Sequence, residues 1–286
     1  MSNNQEMNIA IWKLPHQQVG LPLERLDMNA ASLDGAARQL PGGAYTTFRT
    51  FQRVRVLRLF EHFSRLEETA RLAGHTLTLD RAQIRAALRA AIAQYPAEEM
   101  RIRVTLDLEQ EVGVLYLLLE KLHIPSDDDY ANGVRVVTYH LQRQNPKAKL
   151  TNFIETANRV RQSLPPGINE ALMIGEEDRL LEGLSSNFFA VLEHGIWTAE
   201  QGVLSGITRS MVLEAAAQSG LRVRLEGLPT EKLSQVSEAF ITSASRAVLP
   251  VTEIDGRPVA SGRPGSITLQ LQNRYRAMIE QALETL

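Results

Sequence analysis

Lys149 lies in the segment AKLTNF (148–153), where few other charged residues occur. A lysine forms a Schiff base only from its neutral amine, and burial or a neighbouring cation favours that form. An isolated lysine is more often a solvated surface residue. Lys149 is therefore a candidate nucleophile only if other segments of the chain supply the rest of an active site.

Glu182 lies between an apolar pair and a Gly-Leu-Ser-Ser turn in the segment LLEGLSSNFFAV (180–191). A carboxylate in such a position is partly desolvated and requires a cationic or proton-donating partner. The protonated nitrogen of a pyridine ring is one such partner. An exposed loop glutamate is the alternative.

The segment LSGITR (204–209) places Gly206 directly before Ile207 and Thr208, where a helix is expected to begin. The N–H groups at a helix start, together with a hydroxyl, form a binding site for an anion such as phosphate. The alternative is a loop glycine before a capped helix, which many proteins have without binding a ligand.

Arg65 in HFSRL (62–66) faces the interior if it shares a side of its helix with His62 and Leu66. A surface ion pair is the commoner arrangement for an arginine. The combination of these four segments, rather than any one of them, carries the functional argument.

The elements that must position these residues are strands and helices in the first half of the chain. β-Branched alternation predicts the strands, and apolar residues at four-residue spacing predict the helices. The predicted strands are 45–60, folded at Gln52-Arg53, and a hairpin over 102–108 and 114–119; the predicted helices are 62–73 before Gly74 and 80–94 after the cap Asp80.

The acidic, turn-forming stretch 124–133 separates this half from a second set of elements. We predict a smaller N-terminal domain over 1–123, an interdomain loop over 124–133 and a larger C-terminal domain over 134–286. The elements predicted in the second half are strands at 187–192 and 239–242, a helix over 208–219 capped by Thr208 and closed by Gly220, and a terminal helix over 266–283.

Composition restricts the class of partner. Lysine plus arginine number 31 against 33 aspartate plus glutamate, so the chain lacks the basic field of a nucleic-acid-binding protein. It contains no cysteine, which excludes disulfides and thiolate metal sites, and no metal site is predicted. No apolar run approaches the roughly 20 residues of a membrane span, and the first residues are unlike a signal peptide. We therefore expect a cytoplasmic protein with a small-molecule partner.

Taken together and in this order, the segments resemble the class IV aminotransferases, a group of enzymes that use pyridoxal 5′-phosphate (PLP). The resemblance runs from about Gly42 to Asp255. The matching segments are GAYTTFRT (first strand), HFSRLEETARLAG (HxxRL helix), KLTN (Lys-x-x-Asn signature), LEGLSSNFF (EGSSSN-type turn), LSGITR (phosphate-binding turn) and EAFITSASRAVLPV (last active-site strand and loop).

This resemblance implies a mixed α/β enzyme of fold type IV, with two domains and the active site in the cleft between them. It implies PLP as the cofactor, an amino acid and a 2-oxo acid as substrates, and a homodimer. It also makes Lys149 the Schiff-base lysine, with Lys147 as the rival candidate. Lys149 is preferred because Asn152 then follows three residues later, as in the family signature.

The resemblance assigns the remaining cofactor contacts. Glu182 would keep the pyridine nitrogen protonated, Arg65 would bind the phosphate, and Leu204 would pack against the ring. The expected phosphate turn comprises Gly206, Ile207 and Thr208, and the last loop adds Ser243, Ala244 and Ser245.

Three departures from the family pattern bear on the substrate. Phe153 stands where branched-chain aminotransferases have a tyrosine, and Ala244 stands where they have a hydroxyl-bearing residue. Leu106 stands where the D-amino-acid branch has an arginine that holds the substrate carboxylate. Arg103, on the same face of the strand as Thr105, is a candidate substitute, and Tyr45 is a second candidate substrate contact.

The function expected from the resemblance is a transaminase similar to branched-chain aminotransferases. An aminodeoxychorismate lyase, which releases pyruvate and leaves 4-aminobenzoate, is the alternative, because YTTFRT and the Lys-x-x-Asn spacing resemble that branch as well. A D-amino-acid aminotransferase is a further alternative. A catalytically silent PLP-binding protein is a third hypothesis, from another functional class.

Overall fold

The computed structural model describes residues 9–15, 23–193 and 195–286, which form two compact units. The first unit comprises the described residues up to His123, together with Ala148–Glu155 and Ala282–Leu286. The second comprises Ile124–Lys147 and Thr156–Gln281. These compact units differ from the predicted domains 1–123 and 134–286, because residues 148–155 and 282–286 belong to the first unit. The domain boundaries themselves stay a prediction.

The first unit is built on a seven-stranded sheet. Its elements are β1 (Ile9–Leu14), β2 (Glu24–Leu26), α1 (Leu33–Ala37), β3 (Gly43–Phe51), β4 (Arg55–Leu57), α2 (Leu59–Leu72), α3 (Arg81–Gln94), β5 (Met100–Asp107), β6 (Leu115–Lys121) and a C-terminal strand (Leu283–Thr285). The long strands β3, β5, β6 and β1 are neighbours and pair antiparallel. Their inward residues pack with α2 and α3 into one apolar core.

The hairpin predicted over 45–60 is present as β3 and β4. The turn falls at Gln52 and Arg53, whose φ angles of 48° and 65° are both left-handed, as a tight hairpin turn requires. The helix predicted from residue 62 begins earlier, at Leu59. Arg58 precedes it with a left-handed φ of 48°, and this backbone turn is the start signal that side-chain periodicity did not show.

Three further predictions for the first unit are confirmed. Asp80 caps α3, since its side chain accepts a hydrogen bond from the Gln83 N–H at 2.9 Å. Strands β5 and β6 form the predicted hairpin. Gly74, with φ +91°, follows the end of α2 as the predicted glycine terminator.

The second unit is built on a ten-stranded mixed sheet, and β9 pairs with β10 as well as with β8, which closes part of it. Its elements are α4 (Asp127–Asn132), β7 (Val134–His140), α5 (Asn152–Ser163, of which 156–163 belong to this unit), β8 (Ile168–Ile174), β9 (Arg179–Gly183), β10 (Asn187–Leu192), β11 (Gly195–Trp197), α6 (Ile207–Gln218), β12 (Arg222–Arg224), β13 (Leu228–Pro229), a 3₁₀ turn (Thr230–Gln235), β14 (Glu238–Ser243), β15 (Ala247–Ile254), β16 (Arg257–Pro258) and α7 (Ser266–Ala282, of which 266–281 belong to this unit). The predicted mixed α/β class is confirmed in both units.

Three predictions for this part of the chain are corrected. The predicted loop 124–133 contains α4, which Ser126 and Asp129 start with a capping box. Helix α6 begins at Ile207 with Gly206 as its N-cap, so Thr208 lies inside the helix and does not cap it. The terminal helix ends at Ala282, and Leu283 belongs to a strand that pairs with β4.

Among the residues that the structure describes, every helix is too short or too polar to span a lipid bilayer. The same residues contain no group of three or more side chains placed to hold a metal ion.

Candidate functional site

Lys149 is anchored to β3 by its backbone. Its carbonyl accepts a hydrogen bond from the Tyr45 N–H at 2.9 Å, and its own N–H donates to Thr69 Oγ1 at 3.2 Å. The half-buried side chain places Nζ 4.7 Å from the centroid of the Tyr45 ring. The amine therefore lies beside an aromatic face on a strand-bound loop.

Lys147, the rival candidate, occupies a different environment. Its Nζ donates to the Glu200 carbonyl at 2.6 Å and lies 3.2 Å from the Glu200 carboxylate, which also binds Arg209 at 2.8 Å. Burial acts to raise the pKa of Glu200, but Arg209 and Lys147 outweigh it and lower that pKa. The Lys147 amine is therefore engaged by the carbonyl and the carboxylate of Glu200.

Arg65 faces the interior, between α2 and β3. Its Nη2 donates to Thr46 Oγ1 at 2.9 Å, and His62 and Leu66 on the same helix are buried. Burial lowers the pKa of Arg65 to about 10, while Tyr45 and Glu61 act to raise it. The guanidinium therefore stays protonated at neutral pH and remains able to bind an anion.

Arg103 and Tyr45 lie together on neighbouring strands. The Arg103 guanidinium lies 4.8 Å from the centroid of the Tyr45 ring, but it pairs with Asp34 at 2.6 Å and donates to the Leu33 carbonyl at 3.0 Å. Its side chain is only 3% exposed. Arg103 is thus hydrogen-bonded to two residues of α1. Its expected contact with a substrate carboxylate stays a prediction.

Glu182 is buried at the end of β9, opposite Asn187 on β10. One carboxylate oxygen lies 2.9 Å from Arg143 Nε. The other accepts hydrogen bonds from Asn187 Nδ2 at 3.1 Å and from the Leu204 N–H at 3.2 Å. Sequence reasoning predicted a desolvated carboxylate with a cationic partner but missed Arg143, since no local pattern links two residues so far apart in the chain.

The start of α6 has the properties of an anion site. Ile207 and Thr208 are buried, and no side chain among the described residues caps the helix by a hydrogen bond. The N–H groups of a first helical turn have no partner within the helix, and a buried turn left uncapped requires another acceptor. A Cβ at Gly206 would lie 2.0 Å from Asn187 Oδ1, so glycine is needed for this close approach. The turn therefore fits a phosphate group.

The last predicted loop, 243–245, lies at the end of β14, where Ser243 Oγ accepts two hydrogen bonds from Arg246, each at 3.3 Å. Arg246 also donates to Glu170 at 3.0 Å. Glu170 accepts hydrogen bonds from the hydroxyls of Ser185 and Ser186 at 2.9 and 3.1 Å. Ala244 and Ser245 lie in the turn itself, half-buried. Sequence reasoning missed Glu170 and Arg246. The only feature of the sequence that could have indicated them is the pair of serine-containing segments, 185–186 and 243–245, whose serines they contact.

Comparison with known proteins defines the class. The sequence model of the family described as Amino-transferase class IV matches residues 43–254. The chain belongs to this family and is a PLP-dependent aminotransferase. Membership confirms the expected enzyme class and cofactor, and the catalytically silent alternative is not favoured.

Individual relatives refine the comparison. A branched-chain-amino-acid aminotransferase of Pseudomonas aeruginosa is 26% identical over 254 residues, which cover 83% of each chain. A D-alanine aminotransferase of Bacillus licheniformis is 27% identical over 276 residues, covering 87% of this chain and 92% of the relative.

A solved structure, the branched-chain aminotransferase of the thermophilic archaeon Thermoproteus uzoniensis with norvaline, superposes with a TM-score of 0.76 at 21% identity and covers 97% of this chain and 99% of that one. At that identity the likeness shows the fold alone. It confirms fold type IV.

The pairing of the buried Glu170 with the half-buried Arg246 predicts a specific dependence of stability on pH. Burial acts to raise the pKa of Glu170, but Arg246, Arg161 and the hydrogen bonds from Ser185 and Arg246 lower it overall. A lowered pKa means that the pair stabilises the fold above the unfolded-state pKa, about 4.3, and that this contribution is lost as the pH falls through the folded-state pKa.

We expect Glu170→Gln to lower the free energy of unfolding by about 2 kcal/mol at pH 7, because the half-buried Arg246 loses its hydrogen bond to a buried carboxylate. Urea unfolding at pH 7 and at pH 3 measures the effect, and the difference between variant and wild type should shrink at the lower pH. Glu177→Gln, at an exposed residue, is the control. A difference that is the same at both pH values would show that ionisation of Glu170 contributes nothing.

Proposed function

We propose that this enzyme transfers the amino group of a branched-chain L-amino acid to a 2-oxo acid, as a cytoplasmic homodimer with Lys149 as the Schiff-base lysine. The observation that carries the proposal is the buried Glu182 carboxylate. Asn187 donates both to this carboxylate and to the Leu204 carbonyl. Leu204 lies two residues before Gly206, the N-cap of α6, where no side chain among the described residues caps the helix by a hydrogen bond. A carboxylate and an anion site held in one rigid arrangement fit a ligand with a protonated ring nitrogen and a phosphate.

PLP, when bound, supplies an electron sink for the carbanion that forms when the substrate loses its α-proton. The chain supplies the other parts. Lys149 would bind the cofactor and move the proton at the α-carbon, and its backbone hydrogen bond to Tyr45 would fix the base in place. Arg65 would pair with the phosphate, as would the N–H groups of Ile207 and Thr208 and the Thr208 hydroxyl.

Glu182 would hold the proton on the ring nitrogen. Arg143 Nε lies 2.9 Å from one carboxylate oxygen, and Asn187 and the Leu204 N–H donate to the other, so the direction of the carboxylate is fixed. Leu204 has a double role, because its N–H donates to Glu182 while its buried side chain would pack against the ring.

The surroundings of Arg103 support the branched-chain assignment over the D-amino-acid one. The D-amino-acid branch places its carboxylate-binding arginine where this chain has Leu106, which is fully buried. The candidate substitute, Arg103, is committed to Asp34 and to the Leu33 carbonyl. The D-alanine aminotransferase of B. licheniformis is nevertheless a relative of similar identity, so the D-amino-acid reaction is the second candidate.

Lys149 and Lys147 form a matched pair for testing the nucleophile. Borohydride reduction of the enzyme with PLP should attach the cofactor to Lys149, and peptide mass mapping locates the label. Lys149→Ala should lower transaminase activity at least about 10³-fold, because it removes both the nucleophile and the base. Lys147→Ala should retain the label and most of the activity. A label on Lys147 would show the assignment to be wrong.

A substitution at Asn187 tests whether Glu182, the proposed contact of the cofactor ring, and the proposed phosphate site at the start of α6 depend on one another. Its amide donates both to Glu182 and to the Leu204 carbonyl. Asn187→Leu should raise the Kd for PLP about tenfold, because two hydrogen bonds of buried groups are lost. Thr198→Val is the control, since the buried Thr198 hydroxyl donates only to the Phe188 carbonyl. Equal Kd values for the two variants would count against the coupling.

The amino donor is tested with a panel of L- and D-amino acids, monitored by conversion of the bound cofactor to its amine form. We expect kcat/KM for L-leucine or L-isoleucine to exceed that for D-alanine by about a hundredfold, the discrimination typical of a shaped apolar pocket. A preference for D-alanine would instead support the second candidate function, that of a D-amino-acid aminotransferase. Release of pyruvate from aminodeoxychorismate without an acceptor would instead identify a lyase.

A further inference from the structure

Thr46 connects two side chains of α2 behind the proposed phosphate-binding residue Arg65. Its Oγ1 lies 2.7 Å from His62 Nδ1 and 2.9 Å from Arg65 Nη2. Thr46 is fully buried and His62 is 3% exposed, so the hydrogen bond between these two residues is shielded from solvent. We propose that Thr46 and His62 are positioning residues that fix the orientation of the Arg65 guanidinium for the phosphate of the cofactor.

This inference rests on the proposed function, in which Arg65 binds the phosphate. A guanidinium grips phosphate as a planar fork, so its affinity depends on the rotation of that plane as well as on the position of its charge. A single hydrogen bond from Nη2 to a rigid acceptor fixes that rotation. Thr46 is such an acceptor, because it lies in the middle of β3 and is paired with Val104 on β5.

The direction of the hydrogen bonds follows from chemistry. Arg65 has only donors, so Thr46 Oγ1 accepts from it. The Arg65 Nη2 also lies 3.5 Å from His62 Nδ1, and a cationic N–H at that distance favours a lone pair rather than a proton on Nδ1. The Thr46 hydroxyl therefore donates to Nδ1. The two hydrogen bonds then run from Arg65 to Thr46 and from Thr46 to His62, and each polarises the other.

His62 has the protonation state that this arrangement needs. Burial is the main cause that holds its pKa well below the usual value, and the charges of Arg65 and Lys149 act in the same direction. A neutral imidazole keeps an acceptor at Nδ1. The His62 ring is also held by an edge contact with Phe48, with ring centroids 5.1 Å apart.

The consequence is a measurable preference for the phosphorylated cofactor. Loss of the Thr46 hydroxyl would leave the charge of Arg65 in place but release its orientation. The affinity for PLP should fall, whereas the affinity for pyridoxal, which lacks the phosphate, should stay unchanged. The ratio of the two affinities separates a positioning role from a general effect on the fold.

The experiment titrates the apoenzyme with PLP and with pyridoxal, followed by the absorbance of the bound cofactor. We expect Thr46→Val to lower the PLP-to-pyridoxal affinity ratio about tenfold, the usual size of a charged hydrogen bond. Thr46→Ser, which retains the hydroxyl, should keep the wild-type ratio. Thr50→Val is the matched control, since Thr50 is equally buried on β3 but contacts Glu99 and the Met100 N–H instead.

A second pair of variants tests His62 independently and serves if Thr46→Val does not fold. His62→Asn can place an acceptor oxygen near the position of Nδ1 and should preserve the ratio, whereas His62→Leu removes the acceptor and should lower it.

Arg65→Ala distinguishes the phosphate-binding role of Arg65 from the positioning role of Thr46 and His62. If Arg65→Ala lowers the ratio but neither Thr46→Val nor His62→Leu does, the positioning role is overturned and the proposed function stands. If Arg65→Ala also leaves the ratio unchanged, the phosphate role of Arg65 is overturned, and the positioning role with it.

Discussion

The first unit depends on the pairing of the Lys149 segment with the start of β3. Gly43 and Tyr45 exchange backbone hydrogen bonds with Thr151 and Lys149, each at 2.9 Å, and Ala44 bridges Leu150. The pairing places a lysine from the middle of the chain on the strand that carries Tyr45 and Thr46. It also requires Gly43, where a Cβ would lie 1.9 Å from the Leu106 carbonyl oxygen. A lysine on a free loop would lose this fixed backbone position.

The second unit depends in the same way on two buried acids that each pair with an arginine, Glu182 with the buried Arg143 and Glu170 with the half-buried Arg246. Both acids lie next to the Leu-Ser-Ser turn at 184–186: Arg143 donates to the Leu184 carbonyl, and Ser185 donates to Glu170. A charge taken out of water is costly unless a partner and hydrogen bonds compensate it. Here both acids have such partners, so the turn between them is held from two sides.

Much of the fold was predictable because it follows from local periodicity. Alternation identified the β5–β6 hairpin, and Asp80 was recognisable as the cap of α3 because capping depends on neighbours in sequence. The start of α6 was misplaced by one residue, since the sequence offered Thr208 as a cap while the backbone uses Gly206. The arginines that pair with Glu182 and Glu170 were not predictable, because long-range pairs leave no periodic trace. Family resemblance supplied the candidate residues, and only the coordinates supplied their partners.

The buried charges are better explained by orientation than by stability. Replacing a buried ion pair by apolar residues of similar volume is often neutral or stabilising, so a core selected for stability alone has little need of Glu182 and Arg143. A catalytic site has a different requirement, because each polar group must be fixed in direction before the substrate arrives. Lys147 and Lys149 illustrate the distinction within one segment. Lys147 pairs with Glu200 through its side chain, whereas Lys149 is hydrogen-bonded to Tyr45 on β3 through its backbone, which fixes the point from which its side chain extends.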